Sequence, residues 1–227
     1  MTLSSTSTGK PLLLCFSHRR WREQDARLCS LMTRAAGDHR VLVFEEPILD
    51  GSGSGAMECR DEGSGVAVAT PHLPPRLADR TANALLRKLL DDLMAERGQP
   101  AVIWIASPAA MAFSSHLNPD LRIYDCAEDL AARPNAPATL PLLERRVIGR
   151  VDVVFAATRA LYDRQKARHG TVRLAPNAPT GDDGGWDALW KGIRSEMERM
   201  RPQGARAPVR HTRERVLAID LSEAVGA

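Results

Sequence analysis

VDVVFAATRALYDRQKARHGTVRLAPN, residues 151–177, sets an apolar run, a helical stretch and a second apolar run in one short span. VDVVFAAT (151–158) has the composition of a buried strand, and Thr158 stands where a helix N-cap is wanted. Residues 159–169 take helical spacing. VRLAP (172–176) reads as another strand, closed by a proline. Two strands joined through a helix, and not through a tight turn, form a parallel β/α unit. If the rest of the chain repeats this alternation, the fold class is settled.

Working outward, the alternation holds. PLLLCFS (11–17) is a short apolar run of the buried parallel kind. After SHRRW, residues 22–36 carry Leu28, Leu31, Met32 and Ala35 at helical spacing, and Gly37 supplies a stop. RVLVFEEP (40–47) is a second strand closed by Pro47. GSGSG (51–55) reads as a flexible loop, and Gly63 to Gly65 closes an insertion to which no element is assigned. VAVATPHLP (66–74) is a third strand. Residues 76–97 form the clearest helix, with Leu77, Leu85, Leu86, Leu89, Leu90 and Leu93 on one face. AVIWIASP (101–108), a short helix over 109–117, LRIYDC (121–126) and a helix over 137–149 complete the series.

Seven strands alternating with helices make an α/β fold. The expectation is a single Rossmann-like domain with a mostly parallel sheet, wound by right-handed crossovers so that helices flank both faces. A C-terminal helix over 186–200 offers Trp186, Leu189, Trp190, Ile193 and Met197 as a docking face. Beyond it, RPQGARAPVRHTRER is a basic stretch expected to be mobile, and RVLAIDL (215–221) is either a short strand or a sticky end. The division expected is a disordered N-terminus (1–10), the Rossmann-like domain (11–178), a linker with its closing helix (179–201) and a basic tail (202–227).

Composition narrows the classes. Hydrophobic residues at 44% and charged residues at 26% over 227 positions suit a globular domain with appendages. A formal charge of +3 is too small to argue for nucleic acid. No apolar run reaches the length of a membrane span. MTLSSTSTGK lacks a charged segment followed by an apolar one, so no signal peptide is expected. Cys15, Cys29, Cys59 and Cys126 have no C-x-x-C spacing and no neighbouring His pair, which argues against a zinc site. Cys15 and Cys126 fall in strands and read as small buried hydrophobes. No cofactor is expected, and the cysteine usage suits a reducing cytoplasm.

In open α/β sheets the ligand crevice lies outside the carboxyl ends of the strands. That rule selects the loops Ser17–Trp21, Glu45–Pro47, Asp125–Asp129 and Thr158–Leu161. SHRRW contains no G-x-G-x-x-G, so the dinucleotide-binding fingerprint is absent. His18, Arg19 and Arg20 precede a helix N-terminus and would suit a diphosphate or an anionic sugar; on spacing alone they read as solvated arginines with Trp21 capping the core. YDCAED gathers Asp125, Glu128 and Asp129, which can hydrogen-bond sugar hydroxyls or serve as a general base; equally, and without excluding this, Asp125 can cap the next helix while Glu128 and Asp129 favour its dipole. Arg159 could face the same cleft. His72 and His116 read as surface or satisfied histidines.

SHRRW after the first strand, VLVFEEPI, IYDCAEDLAA and the 151–177 segment, in this order, resemble the N-terminal half of bacterial GT-B-fold glycosyltransferases of the family 4 type. The resemblance covers about residues 11–178, and Tyr124–Asn177 is its most specific part. WDALWKGIRSEMERM resembles the closing helix that such enzymes place after their second, donor-binding domain. The chain departs from the pattern at REQDARLCSL, which keeps Arg27 and Leu31 but lacks the family's Pro and His. The resemblance implies sugar transfer from a nucleotide-sugar to a cell-envelope or exopolysaccharide acceptor, glycan or lipid-linked. It implies substrate-binding roles for Ser17, His18, Arg20, Trp21, Asp125, Glu128 and Arg159, with no metal. It places the protein in the cytoplasm, with peripheral attachment to the inner membrane left open.

The same comparison leads to the expectation that the donor domain is missing, so that the chain is inactive alone. The alternative is a non-catalytic binding or assembly module, and an unrelated nucleotide-binding oxidoreductase is disfavoured by the absent glycine loop. A cleft without its second wall should expose Trp21, Pro47 and the 108–117 segment. It would then call for a separate donor-domain chain, self-association, or coverage by the 186–200 helix.

Overall fold

The computed structural model describes residues 9–23, 26–51, 53, 55–134, 136–179 and 181–200. The expected tail and most of the expected disordered N-terminus lie outside the described residues. Eight strands form one sheet: β1 (Leu12–Phe16), β2 (Arg40–Phe44), β3 (Ala56–Asp61), β4 (Val66–His72), β5 (Val102–Ile105), β6 (Leu121–Cys126), β7 (Val153–Ala156) and β8 (Val172–Leu174). Their spatial order is β3-β4-β2-β1-β5-β6-β7-β8. Every pairing is parallel except β3 with β4. The α/β class and the mostly parallel sheet are as the sequence led one to expect.

The strands read as continuous apolar runs because both faces of the sheet are covered. Leu12, Leu14 and Phe16 join one core with Leu86, Leu90, Tyr124, Val154 and Leu161. Leu13 and Cys15 join the other with Leu28, Leu31, Trp104, Phe155 and Trp190. Helices α2 (Asp79–Arg97), α3 (Met111–Ser114), α4 (Leu140–Ile148) and α5 (Arg159–Lys166) serve the first core. Helices α1 (Ala26–Ala35) and α6 (Asp183–Met200) serve the second. Trp186, Trp190, Ile193 and Met197 of α6 are buried, as their spacing indicates. Ion pairs hold α6 in place: Arg34 to Asp187 at 2.6 Å, Arg194 to Asp38 at 3.2 Å and Arg173 to Glu196 at 2.6 Å.

Two expectations need correction. The insertion before Val66 is not without structure, because residues 56–61 form the antiparallel edge strand β3. Gly63 and Gly65, both at positive φ, make the turn that returns the chain into β4, and Glu62 N donates to Val66 O at 3.0 Å. The expected exposed face is absent as well. Trp21, Pro108, Ala110, Met111, Phe113 and Leu117 are all buried, and Pro47 is half-buried. Phe113 packs edge-on against Phe16, with centroids 5.8 Å apart. Helix α6 covers a sheet face, and its Trp190, Ile193 and Met197 share one core with Trp21 of the first loop.

Candidate functional site

Strand order reverses between β1 and β5, since the chain runs outward from β1 to β2 and β4 on one side and from β5 to β8 on the other. That switch point is where crossovers diverge and leave a crevice. Phe16 O accepts from both Ala106 N (2.9 Å) and Ser107 N (3.2 Å), tying the two loops together. A small cleft opens there, walled by His18, Leu28, Ala106, Tyr124, Asp125 and Glu128. Three of the residues singled out in the sequence, His18, Asp125 and Glu128, thus meet although they come from distant segments.

Their roles differ. Asp125 is committed to Arg27: Nε lies 3.0 and 3.1 Å from its two carboxylate oxygens, and Nη2 lies 2.7 Å from Oδ1. Arg27 Nη1 also donates to Ala175 O (2.8 Å) and Asn177 Oδ1 (2.9 Å). Both charged side chains are almost wholly buried, at 2% and 1% exposure, so neither is offered to a ligand. The pair fastens α1 to the end of β6 and to the segment leaving β8. Asp125 was read as a sugar ligand or a helix cap; its carboxylate lines the cleft and is engaged by Arg27. Arg27 was legible only as a residue kept from the family pattern.

The His18 and Glu128 side chains are 25% and 34% exposed, with Nε2 3.5 Å from Oε1, and both ring nitrogens of His18 are themselves buried. Arg133 holds Glu128 by a fork, Nε to Oε2 at 2.8 Å and Nη2 to Oε1 at 2.6 Å. Burial pushes the His18 pKa below its ordinary value, the Arg133 charge adds to that, and Glu128 opposes it. At neutral pH the imidazole is therefore uncharged, with one nitrogen donating and the other accepting. Beside it, the carboxylate keeps lone pairs beyond those used by Arg133. An acceptor–donor pair of this kind fits hydroxyl groups.

The other residues of the first loop shape it. Ser17 Oγ donates to Arg19 O at 2.9 Å and receives Arg19 N at 3.0 Å, closing a tight turn. Arg20 donates to Glu46 O and, at 3.1 Å, to Pro47 O, so its guanidinium clamps the β1 and β2 loops together. Trp21 N donates to the buried Glu45 carboxylate, which also accepts from Thr70 Oγ1 (2.6 Å) and Arg60 Nη2 (2.8 Å). Glu45 was marked only as the start of a strand-end loop and Arg60 was not singled out, because their partners are distant from them in the chain.

Arg159 stands apart from the cleft. It heads α5, where Thr158 Oγ1 caps Leu161 N at 3.3 Å as expected, and it pairs with Asp163 at 3.0 Å with its side chain 76% exposed. Arg20 and Arg159 are not among the residues lining the cleft. Under the cleft floor, Tyr124 donates to Glu144 Oε1 at 3.1 Å, and burial pushes its phenol well above the ordinary range. Gln165 and Arg168 complete the hydrogen bonds to Glu144, and Arg164 pairs with Asp129. His72 is satisfied by Asp50 and Glu58, whereas His116 meets Asp91 through Nε2 and its Nδ1 is buried without a hydrogen bond among the described residues.

The cleft has a cavity volume of about 20 Å³. That is room for about one water, against the ~300–1,000 Å³ typical of a ligand pocket. It can receive a hydroxyl group but cannot enclose a sugar ring.

No family model matches the chain, and no curated protein matches its sequence. Solved structures match its fold. A sucrose-phosphate synthase chain from Thermosynechococcus elongatus, designated 27_220_406_426, aligns with a TM-score of 0.56 at 11% identity, over 83% of this chain and 98% of that one. Another chain of sucrose-phosphate synthase from the same organism gives 0.52 at 12% identity, over 75% and 49%. An alpha,alpha-trehalose-phosphate synthase (UDP-forming) from Burkholderia vietnamiensis gives 0.51 at 16%, over 84% and 52%. The likeness is one of fold. These neighbours are GT-B glycosyltransferases, and this chain spans about half the length of the second and third. Among the described residues no helix is long and apolar enough to cross a membrane.

Proposed function

We propose that this chain is the acceptor-side domain of a GT-B glycosyltransferase of the family 4 type, acting on a glycan or lipid-linked acceptor of the cell envelope or of an exopolysaccharide. The observation that carries this reading is the His18–Glu128 pair at the β1/β5 switch point of a domain with GT-B-like fold. His18 and Glu128 would take acceptor hydroxyls. Ser17, Arg20 and Trp21 would hold the first loop in shape, and the Arg27–Asp125 pair would fix the cleft's inner wall. Arg159, outside the cleft, would be available to a ligand reaching across from a facing domain. We place the protein in the cytoplasm.

In sugar transfer an acceptor oxygen bonds to the anomeric carbon while the bond to the nucleotide diphosphate breaks. The hydroxyl proton passes to a base and the diphosphate leaves with its negative charge. That charge must be met by preorganised donors in a closed site. Arg20, Arg27 and Arg133 are each committed to internal oxygens, and Arg164 meets Asp129 through Nη1 with its Nε and Nη2 buried. The described residues therefore furnish an acceptor wall, and the donor nucleotide-sugar needs a second domain. The expected result is that the purified chain, given UDP-glucose and a panel of hexose acceptors, transfers no sugar. Transfer above background hydrolysis would overturn the assignment of this domain to the acceptor side alone.

The committed arginines also favour a second reading, a binding or assembly module without chemistry. A separately supplied donor domain separates the two. Transfer restored in trans supports the enzyme reading, and glycan binding without transfer supports the module.

A further inference from the structure

At the opposite end of the sheet from the cleft, a groove of about 350 Å³ runs between α3 and the C-terminal end of α4. Met111, Ser115, Arg146, Gly149 and Arg150 line it. Arg146 is exposed and makes no ion pair or hydrogen bond through its side chain among the described residues. Arg150 is oriented by the bond from Nη1 to Ser115 O at 3.1 Å. Arg122, outside the groove lining, braces the Arg150 backbone, with Nη1 donating to Arg150 O at 3.2 Å and Nη2 to Leu117 O at 2.6 Å. Burial pushes Arg122 below its ordinary pKa; Asp152 opposes that, and the positive charge of Arg150 adds to it.

The neighbouring acids are already engaged. Asp152 accepts from Arg122 N at 2.7 Å, and Asp91 pairs with His116 and Arg87. Basic residues in the last turn of α4 have an ordinary explanation in the helix dipole. That accounts for Arg145 and Arg146, and Arg122 is spent on two backbone carbonyls, but the dipole does not account for Arg150 beyond the helix end. Repelling guanidinium groups gathered around an open groove are stabilised by an anion that joins them, and arginines take phosphate through paired N–H bonds.

We propose that this groove binds a phosphate group, free or on a lipid headgroup, between Arg146 and Arg150 with Ser115 on its wall. The absence of an aromatic platform from the groove lining argues for charge, and not sugar stacking, as the basis of recognition. The site is separate from the switch-point cleft and does not depend on the function proposed for it.

The test uses the full chain at low salt. Pyrophosphate is titrated while backbone amide resonances are followed by NMR, and flotation is measured with phosphatidylglycerol and phosphatidylcholine vesicles. Saturable shifts confined to residues 115 and 146–150 are expected. The R146Q/R150Q variant should weaken them by about tenfold, the loss expected for two charge-assisted contacts, and added salt should weaken them too. Arg80→Gln, an exposed arginine elsewhere, should leave them unchanged. Thermal unfolding checks the fold, and R146E alone carries the test if loss of Arg150 destabilises the chain. Pyrophosphate saturation without flotation assigns a free phosphate, and flotation restricted to phosphatidylglycerol assigns a lipid headgroup. Unsaturable shifts spread over many arginines with no flotation, or unchanged binding in R146Q/R150Q, would overturn the proposal.

Discussion

Ending the chain at residue 182 will prevent it from folding to a cooperative monomer. Helix α6 buries Trp190, Ile193 and Met197 in the second core, and its Trp186 is buried as well. Each contributes about 1.5–3 kcal/mol, roughly 6–12 kcal/mol together, against a typical domain stability of about 5–15 kcal/mol. The same deletion removes part of the core that holds Phe155 and Trp104, whose rings stack 6.0 Å apart. The shortened chain should bind a hydrophobic dye and lose its cooperative thermal transition. A soluble monomer that unfolds cooperatively within a few degrees of the full chain would show that α6 is an accessory and not part of the core.

The second large effect falls on the buried ion pair. Asp125→Ala leaves the Arg27 charge almost wholly buried without its carboxylate, a loss of about 3–5 kcal/mol. Adding Arg27→Met removes the stranded charge, so the double variant should recover a substantial part of that loss despite freeing Ala175 O and Asn177. Denaturant titration of the two single variants and the double variant gives the coupling directly. Additive losses would mean that the two side chains do not depend on each other, contrary to the three close N–O contacts between them.

The central part of the sheet was legible because its strands are buried on both faces and so read as unbroken apolar runs. The edge strand β3 was not. Of AMECRD, every residue is exposed or half-exposed, and it follows neither an apolar run nor a period of two. Its remaining signal was the pair of glycines at its end. The 51–55 loop has a related lesson. Gly55, at a φ of 75°, lies so close to His72 O that an added Cβ would come within 2.9 Å, so this glycine answers to a packed backbone as well as to a turn.

For the site, topology brought His18 and Glu128 together as reasoning from strand ends anticipated. The fate of each charge was not legible, because it depends on partners distant in sequence. Asp125 meets Arg27 across the core, and Arg20 meets the carbonyls that follow β2. A carboxylate or guanidinium in a strand-end loop looks the same in sequence whether it is free or spent. Packing of α1 and of the β2 loop decides which, and neither leaves a local motif.

The central claim is that the switch-point cleft takes sugar hydroxyls through His18 and Glu128. Its most direct test is an NMR titration of the full chain with neutral glycans, such as maltose, cellobiose and N-acetylglucosamine, following the His18 ring and the amides of residues 106 and 127–130. Neutral probes keep the arginine groove out of the measurement. At least one glycan should produce saturable shifts confined to these positions, lost in His18→Ala and Glu128→Gln variants that keep the parent melting temperature. Absence of any shift there at millimolar glycan, or identical binding in both variants, would contradict the claim.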